Sequence, residues 1–150
     1  MKTFMPKPGD IQEQWFLVDV QDQVLGRVAS QIAALLRGKN SPQFTPHANM
    51  RNHVVVINAD KVRLTGNKWR EKTYIHHTGW VGHLRSATAE ELLEKNPTEL
   101  IRHAVSGMLP KTRLGKATLK RLRTYAGADH DHQAQKPVPV DLAKRSKLER

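Results

Sequence analysis

"WFLVDVQDQVLGRVASQIAALLRGK" (Trp15–Lys39) is the stretch that decides the fold. Trp15–Val20 is an apolar run bounded by polar turn residues, the pattern of a buried strand. Leu25, Val28, Ala29, Ile32, Leu35 and Leu36 then recur at spacings of three and four. That is the helical period, and it gathers these side chains on one face. Gly38 stands where a helix ends on a left-handed residue. The unit is a strand, a short turn and an amphipathic helix.

Downstream, "NSPQFTPHANMRN" (Asn40–Asn52) holds Pro42 and Pro46 and predicts a loop. "HVVVINA" (His53–Ala59) is β-branched and unbroken, which suits a strand covered on both faces. "KVRLTG" (Lys61–Gly66) alternates apolar Val62 and Leu64 with polar neighbours and predicts a half-exposed strand. Asp60, in "NADK", belongs to the turn between them. "KTYIHH" (Lys72–His77) predicts another strand after the basic turn "GNKWREK".

Two helix starts follow. Thr88 with Glu91 forms a capping box, and Asn96-Pro97 with Glu99 opens a second helix that buries Leu100, Ile101, Ala104, Val105 and Met108. Pro110 ends it. A short helix is predicted from Leu114 to about Leu122, with Leu119 and Leu122 inward. Residues 1–14 are polar with Pro6, Pro8 and Gly9, an N-terminal arm. Residues 128–150 read as an extended C-terminal tail with little to pack. Residues 15–127 between them form one α/β domain. Its expected architecture is three-layer, with a small, mostly parallel sheet of about four strands flanked by helices.

The length of 150 residues fits a single domain. The absence of cysteine excludes disulfides, cysteine zinc sites and cysteine nucleophiles. "MKTFMPKPGD" lacks the apolar core of a secretory signal, and no run approaches the ~20 apolar residues of a membrane span. A soluble intracellular protein is expected. The net charge is +11, and such a field attracts polyanions, nucleic acid before anionic membrane. The charge is uneven. Residues 37–85 carry nine basic and two acidic side chains, and residues 101–125 carry seven basic and none acidic. Between them residues 86–100 are acidic, with Glu90, Glu91, Glu94 and Glu99 against Lys95. Two basic blocks around one acidic patch argue for a one-sided contact.

The chemical motifs fail by spacing. A phosphate loop needs a glycine five residues before Gly38 or Gly115, where Ala33 and Pro110 stand, and a Ser or Thr after the lysine, where Asn40 and Ala117 stand. His76 and His77 are adjacent, so on a strand they point to opposite faces and do not share a metal. His130 and His132 could point the same way, but no third ligand has a recognisable spacing, and no metal or other cofactor is expected. No serine sits in a nucleophile elbow. The rival to a binding protein is a nucleic-acid- or nucleotide-processing enzyme with a carboxylate/His site, and no such cluster is visible. Trp69, Tyr74 and Trp80 lie among Lys68, Arg70, Lys72, His76, His77 and Arg85. Aromatics among cations can stack bases while the cations hold phosphates, and they can equally belong to the core.

Several motifs are familiar. "LGRVASQIAALLRGK", "FTPH", "INADKVRLTGNK", "HHTG", "GMLPK", "LGKATLKRLRTYAG" and "HDHQAQKP" run in an order that resembles the family of the thirteenth protein of the bacterial large ribosomal subunit, over roughly residues 13 to 142. The resemblance implies a single α/β domain, no enzymatic activity, and early binding to large-subunit ribosomal RNA beside neighbouring ribosomal proteins. It implies no membrane and no small-molecule substrate. It implies the cytoplasm of a bacterium, with an organellar ribosome as the alternative. The expected RNA contacts are Arg27, Arg37, Lys39, Thr45, His47, Lys68, Arg70, His76, His77, Lys111, Arg113, Lys116, Lys120, Arg121, Arg123, His130 and His132.

The chain departs from the family pattern in four places. Asn49-Met50-Arg51-Asn52 replaces an acidic turn, and Asp131 stands where the family usually has proline. Trp80 and His83 alter the glycine-rich turn after "HHTG". "AKRSKLER" runs past the usual end.

Overall fold

The structure is a computed structural model that describes residues 5–7 and 9–142. Part of the expected N-terminal arm and the "AKRSKLER" extension lie outside the described residues. Strand β1 (Gln14–Asp19), helix α1 (Leu25–Arg37) and strand β2 (Asn52–Ile57) form the unit that the opening stretch predicts. β1 and β2 are parallel, with Phe16 opposite Val54 and Val18 opposite Val56. Phe16, Val18, Val54 and Val56 join one apolar cluster with Leu25, Val28, Ala29, Ile32, Leu35 and Leu36 of α1. The helical stripe and one face of the sheet are thus a single buried surface.

The ends of α1 are closed without a capping side chain at the start. Leu25 N–H donates to the Arg63 carbonyl (2.9 Å). Gly38 adopts φ +76°, and its N–H and that of Lys39 return to the Leu35 and Ala34 carbonyls. A Cβ at Gly38 would fall on the Met50 side chain, so this position needs glycine twice over. Buried Asn52 then donates from Nδ2 to the Leu35 carbonyl at 2.8 Å, tying the helix end to β2.

After β2 come a short 3₁₀ turn (Ala59–Lys61), α2 (Lys68–Glu71), β3 (Thr73–His77), β4 (Leu84–Thr88), α3 (Ala89–Lys95), α4 (Pro97–Met108), α5 (Arg113–Leu119), β5 (Leu122–Thr124) and β6 (Val138–Pro139). The main sheet is parallel and four-stranded, in the order β5-β2-β1-β6, and helices flank it. β3 and β4 stand apart as a two-stranded antiparallel ribbon. The capping box forms: Thr88 Oγ1 accepts from Glu91 N–H (3.2 Å), and Glu91 Oε2 accepts from Thr88 N–H (3.1 Å). Pro97 opens α4, which buries Leu100, Ile101 and Val105 in the core cluster.

Five expectations need correction. "KVRLTG" is not a strand. Arg63 makes one parallel bridge with Val24, and the ladder stops because Leu25 already turns into α1. The basic turn "GNKWREK" contains the short helix α2. The helix after Leu114 ends at Leu119, and Leu122 is buried as the first residue of β5 instead. Met108 is 45% exposed at the last turn of α4 rather than packed inward. The tail also packs. Val138–Pro139 pairs with Phe16–Leu17 at the sheet edge, and Leu142 is buried in the core. These pieces are short, and their conformation comes from the strand they lie against rather than from their own pattern.

Candidate nucleic-acid interface

The structure brings the two basic blocks together along the outer side of α4. His103 and Gly107 of α4 line both of two adjoining depressions of about 530 Å³ each, and Ala104 lines one. Lys68 and Lys72 line one, and Lys111 and Lys116 line the other. No carboxylate lines either. Gly107 meets nothing where a Cβ would stand, so the floor stays open at that point. Thr112 caps α5 by accepting from Gly115 N–H at 3.2 Å, which fixes the turn that carries Lys111 and Arg113. Gly115 is helical, yet a Cβ there would overlap the Pro110 carbonyl. The "LGK" glycine therefore serves close packing of α5 on the Pro110 turn, not a phosphate loop. At the other wall Tyr74 meets His103 edge-on (5.0 Å) and Lys72 Nζ lies 5.3 Å from the Tyr74 ring centre. Burial raises the Tyr74 pKa.

A second group lies on the sheet face turned away from α1. Register places Trp15 beside His53, and Val55 beside Arg123. The Trp15 and His53 rings stack at 4.2 Å, and His132 tilts against Trp15 at 5.0 Å. Tyr125 contacts both His130 and His132. Arg121 is half-buried and donates to Asn49 Oδ1, so the altered loop after "FTPH" is tied to β5 by its own asparagine. Burial lowers the Arg121 pKa, with Glu13 opposing. Burial also lowers the His53 pKa; Glu13 opposes it, while Arg121, Arg123 and His132 push the same way. Burial thus favours the neutral form of His53, whose Nε2 lies 3.0 Å from Glu13 Oε1.

The remaining expected contacts are spread more widely. Arg27 is exposed on the first turn of α1, beside Gly26, which lines the groove. Arg37 closes α1 over the Phe44 ring (5.5 Å), and Lys39 and His47 are exposed nearby. Thr45 Oγ1 is buried and has no hydrogen-bond partner among the described residues, so its hydroxyl is not turned outward. Arg70 is exposed on α2 and Lys120 at the end of α5. His76 and His77 occupy opposite faces of β3, as adjacent strand residues must. His103, Trp15, His53 and Tyr125 join these groups without having been expected as contacts, and so does Lys72, which the sequence placed only among the cations around the aromatics. Lys72 had a usable signal, since the chain from it to Ala89 carries no acid. A lone His or Trp carries no such pattern. Among the described residues no group of His, Asp and Glu is placed to hold a metal ion.

A family profile described as Ribosomal protein L13 matches residues 13–131. The chain belongs to that family. A member from Lawsonia intracellularis, named Large ribosomal subunit protein uL13, is 53% identical over 142 residues, covering 95% of this chain and 99% of its own length. Proteins of the same name from Halorhodospira halophila and Thermobifida fusca are each 52% identical, covering 95% and 96% of this chain and 100% and 97% of their own. These relatives bear the name of a ribosomal protein of the large subunit. The matched span holds both basic groups from Glu13 to His130, and His132 lies just past its end. Among the described residues no helix is long and apolar enough to cross a membrane.

Proposed function

We propose that this L13-family chain is a structural constituent of the large ribosomal subunit of a bacterial-type ribosome in the cytoplasm. It binds large-subunit ribosomal RNA and joins it early in assembly, beside neighbouring ribosomal proteins. One observation carries the reading. Two basic blocks, separated in sequence by an acidic segment, converge on one carboxylate-free groove along α4. Acids of that segment serve helix starts instead: Glu90 and Glu91 lie in the first turn of α3 and Glu99 in that of α4, where the helix dipole favours them.

The mechanism is electrostatic and geometric. Lys68, Lys72, Lys111 and Lys116 replace condensed counterions along the RNA backbone, which makes binding steeply salt-dependent. Structured RNA is met by shape, sugar and phosphate, so base readout is minor. Changing these four lysines together to Ala should weaken binding to protein-free large-subunit RNA. The slope of log affinity against log salt should fall by about one for each lysine on a phosphate. All four are exposed, so the unfolding midpoint should stay within error. An unchanged affinity across the salt titration would overturn the proposal.

A further inference from the structure

The β3–β4 ribbon is built unlike the rest of the molecule. Trp80 is 75% exposed and Val81 99%, at the tip, and Ile75 and Leu84 stand at 62% on the strands. The register pairs Ile75 with Ser86 and His77 with Leu84, so Ile75 and Leu84 share one face of the ribbon. Tyr74 lies on the other face, packed against the body. An apolar strip therefore runs from Ile75, at the edge of the α4 groove, to the exposed Trp80 and Val81 at the tip.

The tip is braced before anything binds. Thr78 N–H donates to the His83 carbonyl (3.2 Å), and His83 N–H donates to the Trp80 carbonyl (3.1 Å). Gly79 N–H donates to His77 Nδ1 at 3.0 Å. Gly79 and Gly82 supply the positive φ angles, +96° and +76°, that the turn requires. With Nδ1 accepting, a neutral His77 keeps its proton on Nε2 as a free donor. A pre-shaped turn loses little freedom on binding.

The rim of the strip selects the partner. His77 stands on the strip's own face beside Leu84, His83 lies in the turn, and His76 and Arg85 pair on the opposite face; no carboxylate occurs from Lys72 to Ala89. Donors and cations around an exposed ring match a polyanion with flat bases, the combination that single-stranded nucleic acid presents. A surface of both signs would suit a protein, and the ribbon itself carries cations and histidines with no acid.

We propose that the ribbon is a separate RNA-binding arm, in which Trp80 stacks on an unpaired base of the ribosomal RNA while His77 and His83 meet the adjoining phosphates. This rests on the reading of the chain as a ribosomal-RNA-binding protein. It adds a site that works by stacking to a groove that works by charge.

The two are separable by experiment. The probe is protein-free large-subunit ribosomal RNA from a bacterium, titrated with the full chain at several salt concentrations. Trp80→Ala should weaken binding about tenfold or more, with the salt slope unchanged, because a stacked ring carries no charge. Trp80→Phe should restore most of the loss. Val81→Glu tests the same tip without touching the ring, and it should weaken binding most at low salt. If Trp80→Ala binds like the natural chain while the four-lysine variant loses affinity, the arm proposal fails and the groove reading stands. If Trp80→Ala keeps its RNA affinity but a neighbouring ribosomal protein fails to join the reconstituted subunit, the strip is a protein contact and the proposal is overturned. If the natural chain does not bind the RNA at all, both readings fall.

Discussion

The two faces of the parallel sheet are made by the same strands and have opposite chemistry. On the helix side, Phe16, Val18, Val54 and Val56 meet α1 with no titratable group among them. On the other side, Trp15, His53, Arg121, Arg123 and His132 form a mixed surface of rings and cations. Strand alternation allows this division, since neighbouring residues point to opposite faces. The helix side supplies stability that is indifferent to pH and salt. The ring side gives up some stability to hold ionisable groups near the surface.

The sharpest way to break the comparison is on the helix side. Ile32 is fully buried at the centre of α1. Ile32→Ala should cost about 2–5 kcal/mol, the transfer loss plus the cavity left behind. The loss, read from urea unfolding, should be the same at pH 5.5 and pH 7.5. A smaller loss, or one that changes between these pH values, would remove the claimed contrast.

Next in size is Gly115, where α5 closes on the Pro110 carbonyl. Gly→Ala inside a helix ordinarily gains about 1 kcal/mol. Here the added methyl group has no space, so overpacking should dominate, with a net loss of about 1–3 kcal/mol. The displaced helix carries Lys116, so RNA affinity should fall with it. A variant as stable as the natural chain would show that the close approach is not a constraint.

The same contrast explains what could be read from the sequence. The apolar stripe of α1, the β-branched run of β2 and the capping box at Thr88 are written in neighbouring residues, and each forms as expected. β5 and β6 are not legible, because three and two residues carry no period of their own. Leu122 looked like the end of a helix until β2 gave it a partner. The cations were visible as charge, but only the chain path past α3 shows that Lys68 and Lys116 share one groove. His53 and Trp15 were hidden because their pairing depends on strand register, which no local pattern encodes.

The smallest effect belongs to the ring side, at His53. Burial holds its pKa below 6.5, even with Glu13 pulling upward at 3.0 Å. The unfolded chain therefore takes up this proton at a higher pH than the folded one does. Where the unfolded state binds more protons, stability rises with pH, so it must fall as pH drops through 6.5 toward the folded pKa. Below the folded value both states are protonated and this contribution levels off. His53→Gln keeps an amide donor near Glu13 and removes the titration. Urea unfolding between pH 7.5 and 5 should then give a shallower decline for the variant than for the natural chain. All other residues are the same in both proteins, so the difference between the two curves isolates His53. Parallel curves would mean that the imidazole sits as comfortably charged as neutral, and that the Glu13 contact, rather than burial beside Arg121 and Arg123, sets its state.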